Sequence, residues 1–90
     1  MRFEDALFNW LQIQMVAQAR PDDRAAADTL DFFRGLLRED HEVTEIRVER
    51  VDDTMIHIRI EQGGRSKLQM IDRSAGEQLL ADINSNPKYN

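Results

Sequence analysis

Two stretches hold the residues best suited to chemistry. The first is REDHE, Arg38 to Glu42, which sets carboxylates around His41. Side chains that are adjacent along a helix point different ways, and no second histidine lies four residues away to complete a metal pair. The stretch reads as a polar helix end, with His41 near the negative end of the helix dipole. The second is His57, in MIHIRIEQ, with Arg47, Glu49 and Arg59 as its expected neighbours on a sheet face. A histidine beside carboxylates suits a general base or a pH switch. Here it has no nucleophile motif to serve: the chain has neither G-x-S-x-G nor any cysteine. The acid pairs Asp22–Asp23 and Asp52–Asp53 fall where turns and caps are expected. Gly63–Gly64 lacks the Lys-Ser/Thr and helix of a phosphate loop, and reads as a hairpin. No enzyme activity, metal or cofactor is expected.

Composition narrows the partners. Ninety residues with 41% hydrophobic content make one small domain, which gains stability from a second subunit. The net charge is −5, against the phosphate-dominated binding of most nucleic-acid proteins. Residues 1–42 carry five Arg against nine Asp and Glu. Residues 43–90 carry seven basic against eight acidic, so any tolerance for anions lies in the second half. The absence of cysteine excludes disulfides and thiolate metal sites and suits the cytoplasm. The start, MRFEDALF, is acidic where a signal peptide is basic, so export is not expected.

The elements that position these residues follow from periodicity. Apolar residues at helical spacing predict a helix over 3–19. Pro21 disfavours helical geometry at Arg20, and Asp22 or Asp23 can cap a second helix over 23–40. The period then falls to two. VTEIRVERV and TMIHIRIEQ predict strands with Ile46 and Val48 on one face of the first, and Ile56, Ile58 and Ile60 on one face of the second. A third strand, SKLQMI, puts Leu68 and Met70 on one face. Matching faces across the second hairpin favours a three-residue loop, Gln62–Gly63–Gly64, which opposes Ile58 to Leu68 and Ile56 to Met70. In the first hairpin a loop of Asp52–Asp53–Thr54 pairs Val48 with Ile58 and Arg47 with Arg59, which burial favours, while the alternative loop pairs Glu45 with Arg59 and puts Val51 in the turn. SAGE predicts a last helix with Ser74 as cap and Glu77 closing a capping box, and Pro87 stops it.

The fold class is therefore α+β, in the order α-α-β-β-β-α: a helical hairpin, a three-stranded antiparallel meander and a C-terminal helix. The helices lie on one face of the sheet, in a single domain over 1–84 with a tail at 85–90. The outer face carries Arg47, His57, Arg59 and Lys67, with Glu45, Glu49, Glu61 and Gln69. From the second helix onward this order resembles that of double-stranded-RNA-binding domains. That family places a lysine cluster at the start of its last helix. The corresponding stretch here, DRSAGEQ, has one Arg and one Glu, so no binding residue is carried over.

The first helix raises the question of partners. Ala6 to Ala19 contains no charged residue in a chain that is 32% charged. On a helical wheel Phe3, Ala6, Leu7, Trp10, Gln14 and Ala17 form one side. Phe8, Gln12, Met15 and Ala19 form a second line. It is too short and too rich in amides to cross a membrane. One apolar side is expected in the core. The second line is expected to be an interface in a homodimer, since a helix apolar on two sides is buried on both or meets another chain. The sequence thus predicts a small acidic protein-interaction or regulatory module, non-catalytic and cytoplasmic. The alternative is a nucleic-acid-binding module using Arg47, Arg59, Arg65 and Lys67.

Overall fold

A computed structural model describes residues 1–86 of the chain. Its elements run α1 (Phe3–Ala19), α2 (Arg24–His41), β1 (Val43–Val51), β2 (Met55–Gln62), β3 (Arg65–Asp72), α3 (Arg73–Gly76) and α4 (Gln78–Ser85). This is the expected α+β fold, with a single antiparallel sheet in the order β1-β2-β3. Of the expected tail, Ser85 ends α4 and Asn86 is its C-cap, while 87–90, including the Pro87 stop, lie outside the described residues.

The core forms where α1 lies across the sheet. Ala6, Leu7, Trp10 and Leu11 of α1 pack with Leu37 of α2 and with Ile56, Ile58 and Ile60, the buried face of the central strand. A second cluster joins Ile13 and Val16 of α1 to Ala26 of α2 and to Leu79, Leu80 and Ile83 of α4. The two clusters cover the side of α1 that carries Leu7, Trp10 and Val16; of the second line, Phe8, Gln12, Met15 and Ala19, only Met15 packs against them. Asp23 caps α2 by accepting the Ala26 amide at 3.0 Å. Glu42, at φ +57°, ends α2 in the left-handed region, with its amide on the Leu37 carbonyl.

The first hairpin has the expected central pairs, Val48 with Ile58 and Arg47 with Arg59. Its turn differs from the expected three-residue loop. A β-bulge at Glu49 advances β1 by one residue, so that Arg50 opposes His57 and Val51 opposes Ile56. The turn closes through the Asp52 amide on the Met55 carbonyl, at 2.9 Å.

The second hairpin corrects the expected register. Its loop is two residues, Gly63–Gly64, at φ +57° and +79°, and Gln62 opposes Arg65. Two successive left-handed residues form the tight turn whose twist matches that of the flanking strands, and the Gly pair adopts it without strain. Turn geometry therefore sets the pairing, and the expected match of Leu68 to Ile58 and of Met70 to Ile56 is lost. Leu68 instead opposes Arg59, and Met70 opposes His57. Both project from the outer face, while Lys67 and Gln69 move to the helix-covered face opposite Ile60 and Ile58. The switch is tolerated because the Lys67 ammonium finds the Phe3 ring, 5.0 Å from its centroid.

The expected Ser74–Glu77 capping box does not form. Asp72 is the cap and accepts the Ala75 amide at 3.0 Å. Glu77 instead takes the Arg73 guanidinium at 3.1 Å and separates α3 from α4. Gly76 brings α3 against the core. A β-carbon there would stand 2.8 Å from Ile56 Cδ1 and 2.9 Å from Leu11 Cδ2.

Candidate functional site

The outer face of the sheet holds the densest cluster of polar side chains, and the bulge in β1 assembles it. By advancing the strand at Glu49, it sets Glu49 and Arg50 side by side on that face. Glu49 accepts both Nε and Nη2 of Arg59 at 3.2 Å and lies 3.6 Å from Arg47. The Arg59 hydrogen bonds hold the Glu49 carboxyl below its ordinary pKa.

Beside it sits His57, only 6% exposed although it faces away from the helices. Its Nε2 donates to Asp52 Oδ2 at 2.7 Å. Asp52 Oδ1 accepts the main-chain amides of Thr54 at 3.0 Å and Met55 at 2.7 Å. The His57 hydrogen bond, followed by these two amides, holds the Asp52 carboxyl far below the usual carboxylate range. With the Nε2 proton directed at Asp52, Arg50 Nη2, 3.3 Å from the same nitrogen, places a cation beside the carboxylate. Arg73 ties this turn to the start of α3. Its amide donates to the Thr54 carbonyl at 2.8 Å, and its Nη1 to the Asp52 carbonyl at 3.2 Å.

An Asp–His pair is the orienting half of an acid–base device. Here the side-chain partners of His57 are Asp52 and Arg50, and Asp52 is itself tied to the turn through the Thr54 and Met55 amides. No group of three or more His, Cys, Asp or Glu able to hold a metal ion occurs among the described residues. His41, from the REDHE stretch, packs edge-on against Phe3 with ring centroids 5.7 Å apart, and its Nε2 lies 2.9 Å from the Met1 carbonyl oxygen.

Next to this cluster the face turns apolar. Leu68 is 43% and Met70 56% exposed, on an edge strand with neither proline nor bulge. β1, the other edge, carries irregularities at both ends. Closure of the tight turn at Gln62↔Arg65 makes that pair mutually hydrogen-bonded, and such pairs alternate along a hairpin. The main chains of Arg65, Lys67, Gln69 and Ile71 thus bond β2. Those of Ser66, Leu68, Met70 and Asp72 point away from the sheet.

The residues expected at an interface on the first helix are distributed differently. Phe8, Gln12 and Met15 are half-buried and Ala19 is exposed. Met15 and Ala19 line an apolar groove of about 370 Å³ with Gln18, Val48, Val51 and Leu80; Phe8 and Gln12 are not part of it. Of the expected outer-face residues, Arg47, His57 and Arg59 come together there and Lys67 does not. Sequence reasoning missed Asp52 as the partner of His57, Arg50 beside it, and the exposure of Leu68 and Met70. The Gly pair was the available signal. Read as a two-residue turn, it fixes the parity of every residue in β3.

No helix among the described residues is long and apolar enough to cross a membrane. Comparison with protein-family models, with curated proteins and with solved structures finds no match to this chain.

Proposed function

We propose that this protein is a small non-catalytic interaction module that binds other polypeptides by accepting a strand at the free edge of β3. One observation carries the reading. β3 offers an unbulged run of outward main-chain amides and carbonyls, and the middle of its outer face, between exposed Ser66 and Asp72, carries two exposed apolar side chains, Leu68 and Met70. Soluble domains commonly blunt such an edge with bulges, prolines or charges; the one charge in the middle of this strand, Lys67, is drawn over Phe3 on the helix-covered face. An edge left open is the substrate of β-augmentation, in which main-chain bonds supply affinity and alternate side chains supply selectivity.

The outer-face arginines support a polypeptide rather than a nucleic acid. Arg47 and Arg59 are engaged by Glu49, and Lys67 lies over Phe3 on the other side of the sheet. The net charge of −5 acts in the same direction. A cytoplasmic setting belongs to the same proposal, supported by a composition without cysteine.

The test is a displayed library of extended peptides with alternating apolar residues, selected against the wild type and against Leu68→Pro. Proline at 68 removes an outward amide and leaves the β2 pairing intact. Enriched peptides should bind the wild type and lose at least tenfold affinity for the variant, with amide shifts centred on Ser66, Leu68 and Met70. Equal binding to both proteins, or tight salt-dependent binding of duplex RNA by the wild type, would overturn the reading.

A further inference from the structure

We infer that the pocket between α2 and β1 recognises a phosphorylated side chain on an extended polypeptide, with Arg34 and Arg38 taking the phosphate and the main chain of Ile46 taking the segment beside it. The site is separate from the β3 edge and does not depend on it.

The pocket has a volume of about 260 Å³ and is lined by Arg34, Arg38 and the first residues of β1, Val43 to Ile46. Its two arginines are four residues apart on α2, and so lie on one face, one turn apart. Long helical side chains lean toward the N-terminus of their helix. Arg38 does so: its Nη2 reaches to 3.8 Å from where a β-carbon of Gly35 would stand. The Arg38 charge is thus carried back to the turn that bears Arg34.

Like charges one helical turn apart repel, and the chain does little to neutralise these two. Arg34 has only Asp31, at 3.9 Å, with a side chain 77% exposed. Among the described residues the Arg38 side chain has neither an ion pair nor a hydrogen bond. The nearby acids turn elsewhere. Glu42, one turn beyond Arg38, lies toward the second hairpin, its Oε2 3.5 Å from the place of a Gly63 β-carbon. Glu45, the one carboxylate in the lining, opposes Glu61 and so belongs to the face of the sheet away from the helices.

The strand supplies further donors. β2 bonds β3 through Ile58, Ile60 and Gln62, because Gln62 and Arg65 close the tight turn and bonded pairs alternate from there. Ile46, opposite Ile60 in β1, therefore directs its amide and carbonyl away from the sheet, at the pocket it lines. The Thr44 hydroxyl makes only a 3.5 Å contact, to the Glu61 carbonyl. Two guanidiniums, a hydroxyl and an amide suit a tetrahedral dianion, since each guanidinium can grip two oxygens and the neutral donors take the rest. The outward Ile46 carbonyl needs an N–H partner, which an extended polypeptide has and a free anion lacks. The net charge of −5 acts against nucleic acid and against an anionic lipid surface.

The test uses a pool of synthetic peptides with alternating apolar residues around a fixed central phosphoserine, the same pool without phosphate, and inorganic phosphate as the free anion. Binding is compared for the wild type, Arg34→Gln, Arg38→Gln, Leu68→Pro and Arg24→Gln, an arginine of α2 outside the pocket, with circular dichroism as the fold control. The wild type should retain the phosphorylated pool alone, with amide shifts at Thr44, Glu45 and Ile46. Arg34→Gln and Arg38→Gln should each weaken the retained peptides about tenfold, the loss of one charge-assisted contact, and Arg24→Gln less than about twofold. Leu68→Pro should bind them as the wild type does, so this site and the β3 edge fail separately. Equal retention of both pools, or of neither, would overturn the inference. So would an Arg24→Gln loss as large as that of Arg38→Gln, which would mean attraction to overall charge. Inorganic phosphate that binds as tightly as the peptides would replace the polypeptide with a free anion.

Discussion

His57 Nε2 and Asp52 Oδ2 stand 2.7 Å apart across the mouth of the β1–β2 turn, on the side of the sheet away from the helices. The contact joins a nearly buried imidazole to a carboxylate that already accepts two main-chain amides, and Arg73 anchors the same turn to α3. It is a structural joint between the first hairpin and the last helical segment.

That joint makes stability depend on pH in a definite direction. The folded state holds Asp52 far below its ordinary value of 3.8. A depressed carboxylate contributes stability that is complete above the unfolded-state value and is lost as pH falls through the folded-state value. Asp52→Asn keeps an acceptor for the Thr54 and Met55 amides and removes the charge. The variant should be less stable than the wild type at neutral pH, with the gap closing below pH 3.8 as acid removes the advantage of the wild type. Urea unfolding at a series of pH values measures this, and a gap that is constant with pH would refute it.

Glu42 should be improvable. It is the one non-glycine residue with positive φ among those described, and it ends α2. An L-residue there carries a steric cost of about 1–2 kcal/mol that glycine lacks. Glycine loses more backbone freedom on folding, which offsets part of the gain. Glu42→Gly should therefore raise stability by about 1 kcal/mol and Tm by roughly 4–8 °C for a domain of this size. Calorimetry decides the matter, and a lower Tm would count against the left-handed cap.

Much of this fold was legible because periodicity and burial agreed. Ile56, Ile58 and Ile60 announce the buried face of β2, and the change of period after Glu42 separates helices from sheet. What stayed hidden depended on single-residue events. The bulge at Glu49 falls in a three-residue step between apolar residues, Val48 to Val51, as the irregularity near Thr44 falls in the step from Val43 to Ile46; a strict period of two passes over both, and with them the approach of Arg50 to His57. In the second hairpin two physical rules competed. Face matching favoured three loop residues, while the left-handed Gly pair favoured two. On an edge strand few contacts reward face matching, so the turn prevailed. The breadth of α1 was visible, but its cover by α4 came from how Leu79, Leu80 and Ile83 fold back, which no local pattern displays.

Gly76 should resist enlargement. Its missing side chain lets α3 approach Ile56 and Leu11, both fully buried. Alanine would gain up to about 1 kcal/mol of helix propensity, but the overpacking costs about 1–3 kcal/mol. The crowded atoms are terminal methyls, so the core can shift in part. Gly76→Ala should lose about 1 kcal/mol, and Gly76→Val clearly more. Denaturant midpoints for the pair test this, and a valine variant as stable as wild type would show that α3 does not press on the core.

Trp10 gives the last test, because its two parts should act in opposite directions. The ring is buried in the main cluster, and its Nε1 makes no hydrogen bond to any of the described residues. A buried donor without a partner costs about 1–3 kcal/mol. Trp10→Phe removes that donor while keeping a six-membered ring on the same helix face, and leaves a cavity the size of the lost pyrrole portion. The two effects largely offset. By contrast, Leu11→Ala, one residue along and equally buried, removes apolar volume with nothing regained and should cost about 2–5 kcal/mol. Chemical denaturation should therefore place Trp10→Phe well above Leu11→Ala in stability, despite the larger group altered. The reverse order would mean that the indole N–H is satisfied in solution and that the ring, rather than its polar edge, dominates the core.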